Sequence, residues 1–265
     1  MNRERRFAPL PWLLLPLLAV PAFWPLADNG LTASFDGATH LLRLGALQRA
    51  VSEGVILPRW LPDMQLGYGY PVFNFYPAGA YFVALLPTFF GATPYWAYAL
   101  GFVFALVLAG LGAMLLARDL LRVASPWPAL VAGVTYMYAP YLLVNVYIRG
   151  SLPEALAQAL LPWVLWSARR VLTCSRPTGY VLVVALTLGG LALTHSLTLM
   201  LFVPYLAVYV AVIWWTNGRA SSGLRWMLGA QVGGHWQPLA WLTFAVDHAL
   251  WGMDPLGYHL TALLL

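Results

Sequence analysis

The sequence predicts an all-α protein, a polytopic bundle of about six transmembrane helices with further helices lying on the membrane or re-entering it. Hydrophobic residues make up 61% of the 265 and charged residues 9%, against about 25% charged in a soluble domain. Mean hydropathy is +0.73. All 14 basic residues are arginines in short clusters between apolar runs, the placement of membrane-flanking charges. That placement, despite the net charge of +5, argues against a nucleic-acid partner. The single cysteine, Cys174, allows no internal disulfide and fits no metal motif.

Taken in order, the chain opens on a basic head, Arg3, Arg5 and Arg6, followed by the apolar run Phe7–Leu26. The run is about the 20 residues that a bilayer requires and exceeds a usual signal core. No small-x-small cleavage site ends it, so it reads as an uncleaved first helix with a cytoplasmic N-terminus. Further runs are Tyr76–Ala92, Tyr95–Ala117, Pro128–Val146, Leu152–Ala168, Tyr180–Thr194 and Leu197–Trp215. If every run spans, the clusters Arg118/Arg122, Arg169/Arg170/Arg176 and Arg219/Arg225 all fall outside, against the positive-inside rule. Removing one crossing before Arg118 restores all three. Tyr76–Ala92 is the run to remove, being short, broken by Pro77 and Pro87, and preceded by a Gly/aromatic stretch. It reads as a juxtamembrane or re-entrant helix.

The ionisable residues then gather in outer segments: a loop over 29–75, the turn Tyr147–Glu154 and the turn Leu193–Thr198. Such groups at a membrane boundary are costly and often functional. Within Phe35–Gly54, Asp36, His40 and Arg43 share one helical stripe. Leu44, Leu47 and Val51 continue that stripe, and Gln48, Arg49 and Glu53 point elsewhere. Burying such groups costs free energy unless each is paired. In one account Asp36 caps the helix and ion-pairs with Arg43. In the other Asp36 accepts a proton or holds a metal, and Arg43 binds phosphate. Arg59 and Asp63 follow among aromatics, and Gly67 and Gly69 permit tight turns. Arg149 and Glu154 form either a local salt bridge or a diphosphate site. His195 is an interfacial histidine or a catalytic one.

A first helix, an external loop with an early acid, a juxtamembrane helix and many spans together resemble the GT-C superfamily of membrane glycosyltransferases. More closely, "DGATHLLRLGALQRAVSEGVILPRWLPDMQLGYGYPVFNFYP", "YAPYLLVNVYIRGSLPEALAQALLPWVLW" and "LALTHSLT" resemble the bacterial membrane family labelled "6-pyruvoyl-tetrahydropterin-synthase-related", over roughly residues 8–228. Nothing in these spans suggests pterin chemistry. The superfamily resemblance implies that Asp36 is a catalytic base or metal ligand. Relatives carry an acidic pair there; "FDG" has one acid, leaving a divalent metal an open option with Asp63 as a substitute ligand. Residues 233–265, "GGHWQPLAWLTFAVDHALWGMDPLGYHLTALLL", resemble a first-loop segment of tetratricopeptide-type O-mannosyltransferases. The organisation expected is thus a membrane domain over 1–228 and an appended segment over 229–265, a fusion or truncated form of a GT-C-like bundle.

The function implied is sugar transfer from a polyprenyl-phosphate carrier to an acceptor on the outer face of the bacterial inner membrane. Asp36 would be catalytic. His40, Arg43, Arg59, Asp63, Tyr68, Tyr70, Asn74, Tyr76, Arg149, Glu154 and His195 would bind substrate, the arginines balancing charge on the leaving lipid phosphate. No cofactor is legible, and the partners expected are the lipid-linked donor and membrane lipids. The alternatives are a non-catalytic lipid binder or transporter, and an inactive fragment. Transporters gather charge at the midplane in inverted repeats, whereas here it lies at one surface.

Overall fold

The computed structural model describes residues 10–28, 34–121, 125–217, 231–232 and 235–236. They fall into two compact units, Met1–Trp163 with Gly190–Val203 and Val164–Gly189 with Pro204–Leu265.

The first unit begins with α1 (Leu10–Leu18), α2 (Val20–Phe23) and a 3-10 turn, Trp24–Asp28. Together they make one apolar helix over Leu10–Leu26, the described part of the run Phe7–Leu26, with a turn at Ala19. Pro16 within α1 and Pro21 at the start of α2 each remove a backbone donor and crowd the preceding turn. Next, α3 (Gly37–Ser52) buries His40, Leu44, Leu47 and Ala50, so the stripe with the ionisable residues does face inward. A loop leads to α4 (Val72–Phe75) and α5 (Gly79–Leu85). A 3-10 turn, Leu86–Phe90, extends α5 and stops at Gly91, whose φ of +89° suits glycine at a helix end. Gly79–Phe90 is apolar but short of a crossing, in keeping with a surface or re-entrant element. Gly79 is required for contact: a Cβ there would lie 2.6 Å from the Leu193 carbonyl oxygen.

The long helix α6 (Pro94–Leu121) packs against α7 (Trp127–Met137). Small residues let their backbones meet; a Cβ on Gly133 would stand 2.7 Å from the Gly110 carbonyl oxygen. After α7 come α8 (Pro140–Val144) and a single π-turn, Asn145–Arg149, which leads into α9 (Leu152–Thr173). The core of this unit joins Leu15, Leu44, Leu47, Tyr81, Phe102 and Met114, all fully buried.

In the second unit, Ala168, Val184 and Ala185 pack with Leu188, Leu206 and Val210, and Leu172 packs with Ile213. These residues come from α9, α10 (Thr178–Thr194) and α11 (Ser196–Asn217). Strands β1 (Gln231–Val232) and β2 (His235–Trp236) form a two-residue antiparallel pair. Otherwise the segment expected to be appended, 229–265, lies outside the described residues, as do Arg3, Arg5, Arg6, Arg122, Arg219 and Arg225.

Among the described residues three segments are long and apolar enough to cross a bilayer, Pro94–Leu121, Trp127–Arg149 and Ser196–Thr216. Leu10–Leu26 and Thr178–Thr194 are shorter apolar helices, and α9 carries Glu154, Arg169 and Arg170.

Candidate functional site

The site is assembled where the residues before α3 dock onto the turn after α8. The Phe35 and Asp36 amides donate to the carbonyls of Ile148 and Arg149 at 3.0 and 2.8 Å. Gly150 makes the docking possible: its φ is +65°, and a Cβ there would meet Ser34 and lie 2.9 Å from Gly37 Cα. Tyr98, fully buried in α6, pins the same turn from beneath. Its hydroxyl donates to the Gly150 carbonyl and accepts from the Leu152 amide, both at 3.0 Å.

Docking brings Asp36 to Arg149, with Oδ2 4.0 Å from the guanidinium. Arg149 also pairs with Glu154 and donates to Asn145 Oδ1 at 3.1 Å. Tyr141 donates to the other Glu154 oxygen at 2.6 Å. The Glu154 side chain is 9% exposed and that of Asp36 is 48% exposed. One carboxylate is therefore sealed by its partners and the other is open to a ligand. The local Arg149–Glu154 salt bridge forms, whereas the Asp36–Arg43 pair does not. Asp36 stands at the N-cap of α3 with no side-chain capping bond. Its backbone lies in the α region, at φ −106° and ψ −12°, instead of the extended geometry that aims a capping side chain at the first turn.

Beside this cluster lies a second one. The Tyr81 hydroxyl is 2.6 Å from His40 Nδ1 and accepts from Arg43 at 3.2 Å. Arg43 can only donate, so the Tyr81 hydroxyl oxygen is its acceptor. The Arg43 guanidinium also lies 4.8 Å from the centre of the Tyr76 ring, and its buried Nε has no hydrogen-bond partner. Arg43 has no ion-pair carboxylate among the described residues; aromatic faces hold it instead. His40 stacks on Tyr98 with ring centres 6.0 Å apart. Burial first, and then the Arg43, Arg149 and His195 charges, depress its pKa to about 3.

The unfolded chain binds a proton at His40 near pH 6.5 and the folded chain only near pH 3. Stability should therefore fall as pH drops through that window. His40→Gln should flatten that part of the thermal-unfolding profile; an unchanged acid slope would mean that His40 is not the titrating group.

His195 accepts at Nδ1 from the Thr198 amide at 3.3 Å and shares a 2.7 Å bond with the Thr198 hydroxyl, an ordinary cap for the first turn of α11. Burial lowers its pKa, and the charges of Glu154 and Arg149 both reach it. Of the residues singled out from the sequence, Asp36, His40, Arg43, Tyr76, Arg149 and Glu154 come together, with His195 within their field. Arg59, Asp63, Tyr68 and Tyr70 stand on the loop between α3 and α4, and Asn74 stands in α4. Asp63 there pairs with Arg49 at 2.7 Å. Tyr81, Tyr98, Tyr141 and Asn145 join the site without having been foreseen. The available signal was a tyrosine in a buried apolar run, whose hydroxyl needs a partner. Among the described residues no cluster of three or more His, Cys, Asp or Glu could hold a metal.

Comparison with known proteins places the chain without assigning a reaction. An uncharacterized protein of Lactococcus lactis subsp. cremoris (strain MG1363) is 20% identical over 217 residues, covering 81% of this chain and 35% of the relative. The chain thus spans about a third of that relative's length. No solved structure matches it. Residues 73–264 match the 6-pyruvoyl-tetrahydropterin synthase related domain, described as a membrane protein. That range runs through the tail and leaves out the 36–72 stretch on which the resemblance partly rested. Because the match covers well over half of its length, the chain belongs to the 6-pyruvoyl-tetrahydropterin synthase related family of membrane proteins.

Proposed function

We propose that the chain is part of a GT-C-like glycosyltransferase that takes a sugar from a polyprenyl-phosphate carrier on the outer face of a bacterial inner membrane. One observation carries this reading. A half-open carboxylate, Asp36, stands at the start of α3 beside the neutralised Arg149–Glu154 pair, and an arginine without an ion-pair carboxylate, Arg43, follows two turns along the helix. In the reaction, the acceptor oxygen bonds to the anomeric carbon as the bond from that carbon to the lipid phosphate breaks. Asp36 takes the acceptor proton, and Arg43 neutralises the phosphate that leaves. Tyr76 and His195 border the sugar, while Tyr70 and Asn74 approach it from the adjoining segment. Orientation follows from the arginine clusters, with the N-terminus cytoplasmic and the α3 loop external.

The test uses membranes carrying the chain, or a full-length relative, supplied with radiolabelled polyprenyl-phosphate sugars. Asp36→Asn should reduce transfer by about 10²–10⁴-fold with donor binding retained, and Arg43→Gln should weaken donor binding. Transfer unchanged in Asp36→Asn would remove its role. Donor binding without transfer by the unaltered protein would favour the non-catalytic lipid binder.

A further inference from the structure

The loop between α3 and α4 is an ordered hairpin, and its tip is built against the usual rules. Leu61 and Tyr70 exchange backbone hydrogen bonds at 3.1 and 3.0 Å. The Met64 carbonyl accepts from Gly67 and Gly69 at 3.2 and 2.9 Å and closes the turn. The Trp60 ring lies directly over Gly69, where any Cβ would collide with it. On the inner side Leu61 is buried with Ala50 and Val72. Three successive tip residues are left-handed: Gln65 at φ +54°, Leu66 at +59° and Gly67 at +91°. Glycine adopts this freely, but a leucine there is strained. Strain in an ordered segment marks a position that does something other than fold. The strained leucine is 99% exposed, and Tyr68 beside it is 86% exposed.

Burial therefore does not account for Leu66. The surroundings identify what covers it. Ile56, Leu57 and Trp60 are also more than half exposed, so an aliphatic tip stands among Trp and Tyr, the composition that settles at the headgroup level of a bilayer. The charges agree. Between Val55 and Phe75 the charged residues are Arg59 and Asp63. Asp63 is paired with Arg49, and Glu53 belongs to the end of α3. Arg59 is left as an exposed cation without an ion pair among the described residues, complementary to lipid phosphate. We propose that the hairpin Leu61–Tyr70 is a membrane-surface anchor: Leu66 and Tyr68 enter the headgroup layer and Arg59 binds an anionic headgroup. The inference is independent of any sugar transfer.

The test uses the full chain in vesicles of phosphatidylcholine alone or mixed with phosphatidylglycerol, with Cys174→Ser and a fluorophore on Gln65→Cys. A nitroxide carried by the lipid should quench the label, and aqueous iodide should not. Leu66→Ser should change the ratio of lipid to aqueous quenching by at least about tenfold. Arg59→Gln should lower it by about fivefold in the anionic vesicles and leave it unchanged in phosphatidylcholine. Leu66→Gly guards against a folding artefact, because it relieves the left-handed strain. It should raise thermal stability and still lose the lipid contact. Dominant quenching by iodide would overturn the proposal, as would protection from both quenchers, which would mean that protein covers the tip.

Discussion

Gly150→Ala should destabilise the protein by about 2–5 kcal/mol, the sum of a left-handed alanine and an overlap that cannot relax. The φ of +65° accounts for the smaller share. The larger share comes from Gly37, whose Cα and N would lie 2.9 and 3.0 Å from the new methyl group. These are backbone atoms, so no rotamer change relieves the clash. The residues before α3 must lift off the turn, giving up the Phe35 and Asp36 hydrogen bonds and moving Asp36 away from Arg149. Gly54→Ala is the control, since Gly54 also has a positive φ, +88°, with nothing within 4 Å of its Cβ position. It should lose only about 1–2 kcal/mol. Thermal or denaturant unfolding in detergent separates the two, and equal losses would show that docking is not what Gly150 provides.

Arg149→Met should lower stability by about 2–4 kcal/mol, because it strands Glu154 in a largely buried position. The estimate sits below that for a fully buried pair because the Arg149 side chain is 38% exposed and water screens part of its charge. Tyr141 still donates to Glu154 but cannot neutralise it. Adding Glu154→Leu to Arg149→Met should restore much of the loss, as replacing both partners removes the uncompensated charge. In a double-mutant cycle the two sites should couple strongly. Additive losses would place Arg149's main energetic role elsewhere, with Asp36 or Asn145.

Local features of this chain were legible in its sequence. Periodicity gave α3 and its inward stripe from Asp36 to Val51. Gly67 and Gly69 were readable as tight turns because little else tolerates φ values of +91° and +79°. Arg149 and Glu154, five residues apart, were readable as a pair. What escaped was non-local. One of the two accounts of Asp36 paired it with Arg43, its helix neighbour, but it is held by a turn more than a hundred residues away. Tyr81 and Tyr98 looked like ordinary members of apolar runs. Their roles depend on which polar groups the fold brings to their hydroxyls, and no local pattern encodes that.

The docking of residues 34–37 onto 148–150 also sets an order of events during synthesis. The N-terminal partner emerges first and waits while Pro94–Leu121 and the start of Trp127–Arg149 are made, a delay on the order of ten seconds at ordinary elongation rates. In that interval α6 and α7 can already close on each other at Gly110 and Gly133. The α3 segment can then dock onto the turn that follows this helix pair. The contact that brings Asp36 to Arg149 can form only after the turn has been made, so a nascent chain carries Asp36 well before it carries the site.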